Sequence, residues 1–316
     1  MRKYSLLFCC FISLKAFTQN DTAVVDITVD EKVKMEEHIP VKIFYSQRLI
    51  NANTVEVLHK RVMDFKVTHN FGDIAGDNGG IKEFFGLDNA SDVKIGFIVG
   101  LSDKFNIGAS RSKGSGNVTK LLELSLKYQA LRQILNDPKH PLSLTFFANT
   151  VISSMKADTS SNQENSFSDF SDRLSQVFQV MLARKFGKIS LQLNPTIAHS
   201  NYVQPNDQKA IFALGGAARV PISKKLILVA DYFHSFRTDE SKQFFRNQGI
   251  EFYDAFGIGV EIVTEGHVFH MNFTNATSIL ENRFIPRTTT SWGKGKYRWG
   301  FTIDRNFLLF RDKKNK

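Results

Sequence analysis

The sequence predicts an all-β fold, a closed antiparallel up-and-down transmembrane β-barrel of about twelve strands. Three observations predict it. Stretches of strict period-two alternation recur from residue 62 to residue 307. The connections between them alternate between tight turns and long loops. Beyond the first residues there is no apolar run of the roughly 18 residues that a membrane helix needs.

The elements follow in order. Arg2 and Lys3 precede a short apolar run over residues 5–14, and Ala16-Phe17-Thr18 offers a cleavage site, so residues 1–18 read as a secretory signal peptide with Gln19 as the new N-terminus. A lipoprotein reading at Cys9 competes. Lipidation calls for small residues before the cysteine, and here Leu6-Leu7-Phe8 stand there. Both cysteines, Cys9 and Cys10, fall within the signal. A mature chain without thiols has no disulfides, thiolate metal sites or cysteine nucleophiles. Losing Arg2, Lys3 and Lys15 leaves 38 basic residues against the 31 acidic ones. That modest excess is scattered apart from Lys313-Lys314-Asn315-Lys316, so nucleic acid is not an expected partner.

Residues 19–53 form a mixed, charged periplasmic lead-in. At this length the stretch reads as too short for a plug domain, and twelve strands as too few for a plugged transporter. The barrel is assigned to residues 54–310 and a basic tail to 311–316. In the first strand Met63, Phe65, Val67, His69 and Phe71 oppose Asp64, Lys66, Thr68 and Asn70. The same pattern recurs with strand starts near Val62, Asp92, Phe105, Lys120, Leu142, Leu174, Ile189, Ala210, Leu226, Asp254, His267 and Lys296. The phase of the stretch from Leu174 is the least legible. Tight turns fall at residues 102–104, 187–188, 223–225 and 264–266, and long connections at 72–91, 153–171, 235–253 and 277–295. Residues 132–141 are long where a short turn is due.

Alternation alone also fits a soluble periplasmic ligand-binding barrel with an apolar interior. The membrane reading rests on the even strand count and the alternating loop lengths. Phe105, Tyr128, Phe186, Tyr232, Tyr297 and Phe307 near strand ends suit an interfacial girdle, and a Gly-, Ser- and charge-rich opposite face suits a wet lumen. The tight turns are then expected in the periplasm and the loops around Gly79, Ser161 and Asp239 outside. Outer-membrane lipid and the barrel-assembly machinery are the expected partners, with an envelope protein or small solute besides.

Gln47-Arg48-Leu49-Ile50-Asn51 with Thr54-Val55-Glu56, the stretch from Phe84 to Ala90 (FFGLDNA), and Gly266-His267-Val268-Phe269-His270 with Phe273-Thr274-Asn275 resemble a Bacteroidetes β-barrel family catalogued as domain of unknown function 5777. The resemblance runs from about Arg48 to about Phe307. It implies an outer-membrane-type barrel and no reaction, so it transfers no catalytic residue.

Candidate functional residues are weighed on this frame. Asp64, Lys66, Lys94, Glu123, Lys127, Asp231, Glu261, Arg298 and Asp304 fall on the predicted inner face. They form either a selectivity constriction or a network of opposite charges that fills the barrel. Barrel closure sets Lys66 across from Asp304. Phe84, Phe85 and Leu87 lie among glycines in the first long loop, which either folds into the mouth, meets a ligand, or packs on itself. The run Gly76-Asp77-Asn78-Gly79-Gly80 lacks the strand-loop-helix context of a phosphate loop. His267 and His270 are three apart and face opposite sides of a strand, so they cannot share a metal, and no cofactor is expected. His69, His199 and His234 fall at strand ends. A lipid-modifying hydrolase would set one of them beside a serine such as Ser110 or Ser200, but no spacing selects either. The expectation is a non-enzyme, either a narrow channel or an envelope scaffold. On the faces so assigned, Arg at outward Phe97 is costly, while Ser at inward Gly96 costs little if there is room.

Overall fold

In a computed structural model, residues 39–158, 162–264 and 266–309 are described. The expected signal peptide, the first part of the lead-in and the basic tail lie outside the described residues. Twelve strands form one closed antiparallel barrel, each paired with its neighbours in sequence, and β1 pairs with β12 across the seam. They are β1 (Val62–Asp73), β2 (Ala90–Gly100), β3 (Phe105–Ser112), β4 (Leu121–Leu131), β5 (Ser143–Ser153), β6 (Leu174–Phe186), β7 (Ile189–Ser200), β8 (Ala210–Pro221), β9 (Leu226–Phe236), β10 (Ala255–Val263), β11 (His267–Thr274) and β12 (Arg298–Leu308). Their starts lie within two residues of those read from the sequence.

Tight turns gather at one end and long connections at the other. The long ones carry helix α1 (Asp239–Asn247) after β9 and helix α2 (Glu281–Arg287) after β11. Thr238 begins α1 by accepting a hydrogen bond from the Ser241 amide, which satisfies one of the free N–H groups of the first turn.

The faces alternate as the pleat demands. On β4, Leu122, Leu124, Leu126 and Tyr128 point outward and are exposed, while Glu123, Lys127 and Gln129 point inward and are buried. An outward belt of this kind is stable in lipid and not in water. Leucine and phenylalanine outside, with paired polar groups inside, reverse the order of a soluble barrel.

The interior is filled, one of the two alternatives the sequence leaves open, and it is filled by more than pairs of wall charges. The described part of the lead-in enters at the tight-turn end, runs up inside the barrel and returns to start β1. Ile43, Phe44, Leu49, Ile50, Ala52 and Val55 are buried there against Phe147 of β5, Val177 and Met181 of β6, Ile211 of β8, and Ile227, Val229 and Phe233 of β9. This stretch was expected to be too short to plug the barrel. It plugs because a hairpin of about twenty residues suffices for a twelve-strand bore when the wall carries apolar side chains inward. The same wall explains the poorly legible phase of β6. Its outward Phe178, Val180 and Leu182 alternate with inward Val177, Met181 and Ala183, so both faces are apolar and periodicity is weak.

The overlong turn between β4 and β5 also has a cause. Val41 donates to the Gln133 carbonyl at 2.8 Å and Leu135 to the Ile39 carbonyl at 2.9 Å. The extra residues thus form a short bridge with the incoming chain and fix where it enters. From the other end, the connection after β11 descends into the mouth and buries Ala276, Ile279, Leu280, Phe284 and Ile285.

Candidate functional site

The candidate site is this filled lumen. Its centre is the hairpin tip. The Leu49 amide donates to the Ala52 carbonyl at 2.9 Å, which closes a tight turn and leaves its tip amides facing the wall. The carboxylate of Asp231, inward on β9, accepts from the amides of Ile50, Asn51 and Ala52 at 3.1, 2.7 and 2.9 Å, and from the Asn51 side chain at 2.9 Å. A carboxylate that accepts several charge-assisted hydrogen bonds is a strong anchor even without a cation. Gly257, directly opposite on β10, makes room for the tip, since a Cβ there would lie 2.6 Å from Ile50 Cγ2.

The flanks of the hairpin are held by other inward groups. Lys127 Nζ on β4 donates to the carbonyls of Gln47 and Thr54, both at 3.1 Å, and of Glu56 at 3.3 Å. Gln192 on β7 accepts from the Val55 amide at 2.8 Å and donates to the Asn53 carbonyl at 2.6 Å. Arg48 Nη1 meets Glu281 of α2 at 2.5 Å, and its other nitrogen donates to the Ile279 carbonyl. The segments entering from the two ends therefore meet and pair in mid-barrel.

The structure places all nine sequence-nominated charges on the inner wall and brings most into pairs. Lys66 lies opposite Asp304 across the seam, in register, with Nζ 2.9 Å from the carboxylate. Asp64 is 3.7 Å from the same ammonium. Lys94 meets Glu123 at 2.7 Å, and Arg298 meets Asp73 at 2.7 Å. Glu261 takes Arg219 at 3.1 Å and His270 at 3.0 Å. Only Lys127 and Asp231 take backbone partners instead, and both partners belong to the hairpin. Sequence reading missed Arg48, Asp73, Arg219, Gln192 and Glu281. Arg219 was within reach, since it continues the inward series Ala213, Gly215, Ala217; Glu281 lies in a loop, where no periodicity assigns a side.

Phe84, Phe85 and Leu87 stand at the surface of a loop that bonds to itself, with the Phe85 amide donating to the Gly80 carbonyl and the Leu87 amide to that of Phe84. They are 60, 49 and 40 % exposed, and both phenylalanines have left-handed backbone (φ 45 and 53). The mouth is closed instead by Glu164, Asp207, Arg237, Arg283 and Arg287, drawn from four long connections. Arg287 pairs with Asp207 at 2.7 Å and also with Glu164, and Arg283 reaches Glu164 at 3.2 Å. Burial pushes the Glu164 carboxyl up, but the two guanidinium groups outweigh it and hold it below the usual glutamate range. Ser110 donates to Glu123 at 2.6 Å within the lumen, while His234, exposed at the loop end, meets Asp254 at 2.9 Å.

Among known proteins, no curated protein matches this chain. Solved structures match it at low identity. The NanC porin is 8 % identical with a TM-score of 0.43, over 78 % of this chain and 100 % of that one. An outer membrane channel from Pseudomonas putida F1 is 10 % identical with a TM-score of 0.46, over 80 % of this chain and 98 % of that one. The Acinetobacter baumannii outer membrane protein Omp33 is 10 % identical with a TM-score of 0.37, over 78 and 99 %. The family model described as membrane bound beta barrel domain (DUF5777) matches residues 44–307, a span that takes in both the twelve strands and nearly all of the hairpin, and the chain belongs to that family.

Proposed function

We propose that this chain is an outer-membrane barrel that works closed, as a self-plugged scaffold for envelope partners, with its tight-turn end in the periplasm and its long connections outside. One observation carries the reading: the lumen is filled from both ends by the chain itself, and the two fillings are joined by Arg48 and Glu281. A pore needs a continuous water path. The space left beside Lys66, Lys94, Glu123 and Lys127 is a cavity of about 50 Å³, room for a few waters at most. No catalytic step is assigned.

A narrow gated channel is the second reading. It is favoured by the uneven seating of the hairpin, which has both apolar and polar contacts along β5–β9 but only polar ones, such as Asn106 and Lys127, along β1–β4, beside the small cavity. Planar-bilayer recording on the mature protein separates the two. The scaffold predicts silence at every holding potential, with steps appearing only when Gly257→Val unseats the tip. Stepwise current from the unaltered protein assigns the channel.

A further inference from the structure

A cleft of about 320 Å³ opens beside the hairpin at the tight-turn end, bounded by β1, β12 and the β10–β11 turn. Its inner surface is lined by Ser46, Gln47, Asp64 and Asp304, and its rim by Lys42 and Tyr45. Three of these side chains have polar atoms that are buried and lack a partner among the described residues: both amide atoms of Gln47, Oδ1 of Asp64 and Oδ1 of Asp304. Gln47 is 5 % exposed, Asp64 3 % and Asp304 5 %. A buried polar atom without a partner costs about 1–3 kcal/mol, more when charged. Four of the ten such atoms among the described residues gather in this one cleft, which marks a place built to meet something.

The charges say what kind of group fits. Two carboxylates face the cleft, and one ammonium, Lys66, lies behind them, 2.9 Å from Asp304 and 3.7 Å from Asp64. Ser46 also donates to Asp304. The inner end therefore sets two carboxylates around Lys66 and keeps two carboxylate oxygens, both acceptors, without a hydrogen bond among the described residues. Lys66 so close opposes a bare metal ion, which would need the oxygens the ammonium already holds. A cation that brings its own N–H donors feels the same repulsion but needs only one hydrogen bond to each unpaired oxygen, and leaves the Lys66 pairs intact. It can hydrogen-bond Asp64 Oδ1, Asp304 Oδ1 and Gln47 Oε1 together, while Gln47 Nε2 is left to donate to an acceptor on the same molecule.

We propose that this cleft is a binding site for a small organic cation, a solute carrying a primary ammonium or guanidinium group, entered from the tight-turn end. The site includes Ser46 and Gln47 of the hairpin and is complete with the hairpin seated.

Isothermal titration of the mature protein in detergent with agmatine, and separately with magnesium chloride, tests this. Saturable one-to-one agmatine binding is expected. Asp304→Asn weakens it but also strips Lys66 of its partner, so Gln47→Ala and Asp64→Asn, which keep the Lys66–Asp304 pair, are the decisive variants. Each weakens agmatine by about tenfold or more, the value of one charge-assisted hydrogen bond, while the folded barrel persists. Absence of saturable agmatine binding, binding by both variants as tight as by the unaltered protein, or magnesium binding that displaces agmatine overturns the proposal.

Discussion

Arg48 and Glu281, 233 residues apart, meet in mid-barrel at 2.5 Å, and both side chains are almost fully buried. One comes from a hairpin that precedes the first strand and the other from the last long connection. Their pair is the only direct ionic bond among the described residues between the two pieces of chain that fill the lumen.

Removing one partner from a buried pair costs more than removing both, because a lone charge is left without water. Arg48→Met is therefore expected to lower stability by about 3–5 kcal/mol, and Arg48→Met with Glu281→Leu by clearly less. Unfolding in urea, followed by the heat-modifiable gel shift that folded barrels show, measures both. Equal losses in the single and double variants would mean that the pair does not hold the fillings together.

Phe97 points outward on β2 with its ring 5.0 Å from that of Phe65. Phe97→Arg places a charge in the membrane and is expected to cost roughly 2–4 kcal/mol. Gly96, one residue earlier and inward, was expected to accept serine if there were room. There is none, since a Cβ would lie 2.6 Å from Ser110 Cβ. Gly96→Ser should therefore also destabilise, and Gly96→Ser with Ser110→Gly should restore most of the loss. If Gly96→Ser is neutral in the same urea assay, the strand pair is looser than described.

Topology is tested on intact cells with a membrane-impermeant thiol reagent. Asp239→Cys at the start of α1 should label, and Asp103→Cys in the β2–β3 turn should not. The opposite result turns the barrel over and moves the proposed amine cleft to the cell exterior.

The lock across the long-connection end carries a pH dependence. Glu164 has its carboxyl held below the usual glutamate value by Arg283 and Arg287, against the opposing effect of burial. A carboxyl with a lowered folded pKa contributes stability that is complete above its unfolded value and is lost as pH falls through the folded one. Hydrogen-exchange protection in the described part of the 153–173 connection, taken relative to the intrinsic rate at each pH, should be high at neutral pH and fall only beneath the ordinary glutamate range. Glu164→Gln should be weakly protected at both. An acid-insensitive wild type would remove the lock from the account.

The sequence made the wall legible because pleat geometry forces it. A strand buries alternate residues, so Met63 to Phe71 declared both its extent and its faces, and antiparallel closure then set Lys66 across from Asp304. The filling was not legible, for two physical reasons. Residues 42–58 have no regular period, because a hairpin inside a lumen meets wall on every side. The groups that receive them, Asp231, Lys127 and Gln192, look like ordinary lumen-facing polar residues until their backbone partners are seen. One clue was available. Residues 132–141 are longer than a turn needs, and the surplus is the piece that pairs with Ile39 and Val41.

The apolar half of the inner wall has a consequence for how the protein is made. β6 and β9 carry apolar side chains on both faces, Val177, Phe178, Val180, Met181 and Leu182 on one, Ile227, Leu228 and Val229 on the other. Segments of that kind, with few charges and high strand propensity, self-associate when left in water. An ordinary pore-forming strand hides one face in lipid and wets the other; these strands need two shelters. The hairpin precedes every strand in the chain and is synthesised first, so the inner shelter is already on hand when β6 and β9 follow. Biogenesis of this barrel should therefore fail by aggregation in transit, rather than by faulty insertion, whenever residues 43–55 lose their apolar side chains.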